Sequence, residues 1–122
     1  MVKVLIVDDT SLARAMLRKV VEECGVLDIF EAQNGVEAVQ IFEKERPDLV
    51  TMDITMPEMD GITATRKILE IDKEANVVVC SALGQKEVVM EAIEAGAKQY
   101  IIKPFDSGQV ISTIKTVLGM KP

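Results

Sequence analysis

The sequence predicts an α/β domain: five parallel strands in one sheet, with helices packed on both of its faces. Short, nearly continuous apolar runs of strand length recur five times, and each is followed by apolar residues at helical spacing. The segments between them carry helix-capping chemistry, with Asp, Ser or Asn before a helix and Gly after it. A chain of 122 residues has room for one such core and no second domain.

The elements follow in order. Val2 to Val7 is the first apolar run, as a strand buried on both faces requires. Asp8-Asp9-Thr10-Ser11 then supplies N-cap residue types. Ala13, Met16, Leu17, Val20, Val21 and Cys24 mark the inward face of a helix that Gly25 ends. Ile29 to Ala32 is the second strand. Asn34-Gly35 opens a helix that uses Val36, Val39 and Phe42 and stops before Pro47. Leu49 to Met52 is the third strand, followed by a loop containing Pro57 and a helix over 61–71. Val77 to Cys80 is the fourth, with a helix from Lys86 to Ala95 closed by Gly96. Tyr100 to Ile102 is the fifth. Ser107 to Leu118 forms the last helix, turning Val110, Ile111, Ile114, Val117 and Leu118 inward.

Composition removes several classes of function. Twenty acidic against fourteen basic side chains leave a net charge of −6, the wrong sign for a nucleic-acid surface. The chain has no histidine, which excludes His-based acid/base chemistry, His-containing triads and imidazole zinc sites. Cys24 and Cys80 lie too far apart in sequence for a Cys-x-x-Cys pair and read as small buried hydrophobes in a reducing, cytoplasmic setting. The longest uncharged stretch, Ala75 to Gln85, is eleven residues, too short to span a bilayer. No exposed apolar stripe calls for a dimer, so a monomer is expected.

Right-handed crossovers bring all five strand ends to one edge of the sheet, where ligands bind in folds of this class. Asp8 and Asp9 follow the first strand, Asp53 ends the third, Ser81 the fourth and Lys103 the fifth. Asp8-Asp9 alone would read as a helix N-cap. If the first and third strands are neighbours, however, three carboxylates crowd against one lysine. The two uncompensated negative charges suit a divalent cation, and an all-oxygen ligand set favours Mg²⁺. Such a site fits phosphoryl transfer. Asp53, already ionised at pH 7, attacks phosphorus, while Lys103 and the Ser81 hydroxyl hold phosphoryl oxygens. Lys103 precedes Pro104, and a cis bond there would help aim the side chain.

Val7-Asp8-Asp9, the segment Met52 to Gly61, Ser81-Ala82 and Lys103-Pro104-Phe105 together resemble the receiver domain of two-component response regulators. The likeness covers essentially residues 1–122, as one receiver domain without an output domain. It implies the doubly wound strand order 2-1-3-4-5 shared by flavodoxin-like and CheY-like folds. It also implies that Asp53 accepts a phosphoryl group from a histidine kinase. Mg²⁺ would be held by Asp9, Asp53 and the Thr55 backbone carbonyl, with Asp8 acting through a water. Ser81 and Tyr100 match the family's switch pair.

Within the family, Met52 to Pro57, Cys80 to Gln85 and the lack of an output domain resemble the chemotaxis regulators of Gram-positive, thermophilic or archaeal type. That likeness implies a CheA-like kinase and a motor switch protein or adaptor as target. Lys86, Met90, Glu94 and Tyr100 would form the partner face, and a phosphatase could end the signal. Thr55 and Leu83 hold positions that influence hydrolysis in the family, and an apolar Leu83 cannot orient a water. The protein is therefore expected to be a signal carrier with slow self-dephosphorylation rather than an enzyme. The alternative is a phosphorelay intermediate that recognises a histidine phosphotransferase through its first helix, where Leu12 faces outward. A haloacid-dehalogenase-like phosphatase would need Asp-x-Asp after the first strand, and a dinucleotide site a Gly-rich turn; neither is present.

Overall fold

The computed structural model describes residues 1–56, 59–82 and 84–120. Strands and helices alternate as β1 (Lys3–Val7), α1 (Ser11–Glu23), β2 (Asp28–Ala32), α2 (Gly35–Glu45), β3 (Leu49–Asp53), α3 (Gly61–Ile71), β4 (Val77–Ala82), α4 (Lys86–Ala95), β5 (Gln99–Lys103) and α5 (Ser107–Leu118). All pairings are parallel, in the order β2-β1-β3-β4-β5. The fold class and strand order are those expected.

Alternation along each strand divides the core in two. Leu5, Val7, Val50, Met52, Val77 and Val79 pack against Ala38 and Phe42 of α2, Ile62 and Ile68 of α3, and Val89 of α4. Val4, Ile6, Leu49, Val78, Cys80 and Ile101 face Leu17, Val20 and Val21 of α1 and Val110 and Ile114 of α5. Both cysteines are free and buried, and burial pushes the Cys80 thiol up to about 12. No helix among the described residues is long and apolar enough to cross a membrane.

Two residues read as inward-facing are not: Met16 (46% exposed) and Val36 (39%) fall at the borders of their helical stripes. Leu12, expected outside, is 72% exposed. Strand ends differ by one or two residues, and β1 starts at Lys3 rather than Val2. Pro57, Glu58 and Leu83, each part of the resemblance, lie outside the described residues.

The chain turns from β1 to β2 on one side and returns to β3 on the other. The crevice between the ends of β1 and β3 is therefore the place where the strand order reverses.

Candidate functional site

Four helices begin with a side chain that caps its own amides. Thr10 accepts from Ala13 N–H, Asn34 from Glu37, Asp60 from Thr63 and Asp106 from Gly108 and Gln109. Asp8 and Asp9 are thus not needed as the cap of α1, and the cap reading of that pair gives way to Thr10. Asp8 instead turns into the crevice and is fully buried. Its Oδ1 accepts from the Thr10 amide at 3.0 Å and the Thr10 hydroxyl at 3.1 Å. Arg14 Nη1 donates to the Asp8 carbonyl at 2.7 Å, while its Nε pairs with Glu31 at 2.9 Å. That arginine, which braces the end of β1 from below, carried no signal in the sequence.

Asp53 ends β3, a strand buried at every position. The pairing of β1 with β3 brings Asp8, Asp9 and Asp53 together, one carboxylate oxygen from each lying within 4.8 Å of the others. Lys103 reaches over from β5, its Nζ 2.8 Å from Asp8 Oδ2 and 3.4 Å from Asp53 Oδ1. The Lys103-Pro104 bond is cis.

Charge at this edge is unbalanced. Burial, with the negative Asp8 beside it, raises the Asp53 carboxyl to about 6 despite Lys103. Burial pulls Lys103 down, but its hydrogen bond to Asp8 and the charge of Asp53 outweigh that and leave it raised. Three carboxylates against one ammonium leave two negative charges uncompensated. Clustered hard oxygens, one of them on exposed Asp9 and so open to solvent, fit a hydrated divalent cation.

Ser81 lies at the end of β4, 1% exposed, and its hydroxyl has no hydrogen-bond partner among the described residues. A buried hydroxyl without a partner is costly, and at this edge it is a donor left for a ligand. Thr51 Oγ1, in the middle of β3, is likewise without a partner among the described residues. Tyr100 is 46% exposed on β5 and pairs with Val79, whereas Ser81 pairs with Ile102. The two residues expected as a switch pair are therefore on adjacent strands, offset by two positions in register.

Tyr100, Lys86 and Met90 line a groove of about 280 Å³ between α4 and β5, floored by Val89 and Ile102. Glu94 is exposed on α4 but does not line that groove. Thr55 is exposed on the loop after β3, where its hydroxyl accepts from Gln85 at 3.3 Å. Gln85 enters the sequence reading only as the end of the Cys80–Gln85 segment; its tie to Thr55 has no signal there beyond a glutamine where a short capping side chain is expected. Gly61 opens α3 directly against the end of β3. Its N–H donates to the Ile54 carbonyl at 2.9 Å, and a Cβ there would overlap the Asp53 carbonyl oxygen.

The description "response regulator receiver domain" matches residues 4–115. The chain is 47% identical over 117 residues to the chemotaxis protein CheY of Bacillus subtilis (strain 168), covering 96% of this chain and 98% of that one. It is 49% identical over 115 residues to the chemotaxis protein CheY of Thermotoga maritima, covering 94% and 96%. Among solved structures, the receiver domain of NtrX from Brucella abortus matches with a TM-score of 0.89 at 26% identity, covering 97% of this chain and 99% of that one.

Proposed function

The chain belongs to the response regulator receiver family, and from that premise we propose that it carries a signal as a phosphoryl group on Asp53. The observation that carries the reading is the crowding of Asp8, Asp9 and Asp53 against Lys103 at the point where the strand order reverses. A carboxylate oxygen of Asp53 attacks the phosphorus of a histidine kinase's phosphohistidine. The P–N bond breaks as the P–O bond forms, and the imidazole leaves with the electron pair and takes up a proton. Lys103 neutralises one phosphoryl oxygen, and the idle Ser81 hydroxyl donates to another. Asp9, Asp53 and the Thr55 carbonyl would hold Mg²⁺, with Asp8 acting through a water, and the ion would supply the missing positive charge.

Phosphorylation draws Ser81 toward the new anion and turns Tyr100 inward, reshaping the groove that Lys86 and Met90 line, with Glu94 a turn away on α4. Similarity to chemotaxis proteins supports a motor switch protein or its adaptor as the cytoplasmic target. Self-dephosphorylation is slow, since residue 83 is an apolar leucine, which cannot orient an attacking water. Pull-down from source-cell lysate in Mg²⁺, with and without beryllium fluoride, tests the reading, with Asp53→Asn as control. Enrichment of a motor component only with beryllium fluoride supports it.

A relay role is the second reading, favoured by Leu12 and Met16, which stand exposed on α1. Enrichment of a histidine phosphotransferase in the same experiment would select it.

A further inference from the structure

Gln85 stands where α4 begins, yet its side chain does not cap that helix. Its Oε1 accepts from the Ala82 N–H at 2.8 Å, and its Nε2 donates to Thr55 Oγ1 at 3.3 Å. One carboxamide thus ties the loop after β4 to the loop after β3, the two loops that flank Asp53.

The Ala82 N–H is a donor displaced from its ladder. Asp53 pairs with Cys80, and Ile54 N–H donates to the Cys80 carbonyl at 3.1 Å. In a parallel ladder the next donor is Ala82, and its acceptor in register is the Ile54 carbonyl. That carbonyl accepts from Gly61 N–H instead. Ala82 N–H is therefore surplus to the sheet, one residue from the Ser81 hydroxyl that has no partner among the described residues. Of two adjacent donors at the end of β4, one is idle and the other is satisfied by Gln85.

We propose that Gln85 is an inhibitory latch: it holds the two loops together beside Asp53 and occupies the Ala82 N–H that an oxyanion on Asp53 must win. This rests on Asp53 being the phosphoryl acceptor. A charged phosphoryl oxygen is a stronger acceptor than an amide carbonyl, so the exchange runs toward release once the group is in place. Release also unties Thr55 from the start of α4, whose first amides have no side-chain cap to hold them. Gln85 is thereby a positioning residue that sets how readily phosphorylation is felt by α4.

The test uses beryllium fluoride in excess Mg²⁺ as the phosphoryl analogue, titrated into the wild type, Gln85→Ala, Gln85→Met and Asp53→Asn. Affinity is read from Tyr100 fluorescence, and the Ala82 amide proton shift reports its hydrogen bond. Both Gln85 variants are expected to bind about five-fold tighter, as when one modest hydrogen bond no longer competes. Their free-state Ala82 proton should move upfield. Met keeps the length and bulk of Gln, so a role in packing alone would leave Gln85→Met at the wild-type affinity. Equal or weaker binding in both variants would overturn the latch. Binding that Asp53→Asn leaves intact would overturn the acceptor reading, and the latch with it.

Discussion

Lys103 belongs first to Asp8, with Nζ 2.8 Å from Asp8 Oδ2 where Asp53 Oδ1 is 3.4 Å away. The Asp8 side chain is 1% exposed, so the lysine is its compensating charge and not only a phosphate ligand in waiting. Lys103→Met should strand that carboxylate and cost about 3 kcal/mol of stability in metal-free buffer, measured by urea unfolding. A loss under about 1 kcal/mol would mean that water already solvates Asp8.

Asp53→Asn should do the opposite to stability while abolishing phosphorylation. It removes one of three crowded carboxylates, so a gain of about 2 kcal/mol is expected without Mg²⁺. Intact mass after treatment with a small-molecule phosphoryl donor checks the chemistry. A phosphorylated Asn variant would place the acceptor elsewhere.

Acidification should stabilise the metal-free protein. With the Asp53 carboxyl raised to about 6 from an ordinary 3.8, the folded state takes up a proton that the unfolded chain does not. Asp53's contribution to stability should therefore rise as pH falls from about 7 to about 4, the window between its raised and ordinary values. Glu31, held low by its hydrogen bond to Arg18, acts in the other sense, its contribution lost only as pH falls below its ordinary range. Lys103, raised, keeps its contribution throughout this window and loses it in strong alkali. Thermal melts at several pH values should show the slope in the wild type and a flatter one in Asp53→Asn.

Chelation of Mg²⁺ should stop labelling by the small-molecule donor without unfolding the chain, since hydrophobic cores on both faces hold the fold. Circular dichroism alongside mass analysis separates the two effects. Labelling that persisted in chelator would remove the metal from the proposal.

Gly61→Ala should damage both fold and chemistry. The added Cβ overlaps the Asp53 backbone oxygen, and backbone cannot move aside as a flexible side chain would. A loss of about 2 kcal/mol or more is expected, with slower labelling of whatever remains folded.

Much of this was legible because buried parallel strands leave a plain mark. Val4 to Val7 is continuously apolar since helices cover both faces of β1, and the residue after such a run must lie at the sheet edge. That logic finds Asp8, Asp53, Ser81 and Lys103 without any structure. Met16 and Val36 misled because periodicity gives a helix's angle but not the width of its contact. Arg14 and Gln85 were silent for another reason: their partners, Asp8 and Glu31 or Ala82 and Thr55, are set by loop paths that no spacing encodes.

The central strand has a consequence in time. β3 is paired on both sides and every one of its residues is buried, so its amides should exchange with solvent only when the whole molecule opens. The start of α4 lacks a side-chain cap and should open far more often. The proposed acceptor is thus anchored to the slowest-moving part of the protein, and its readout to one of the fastest.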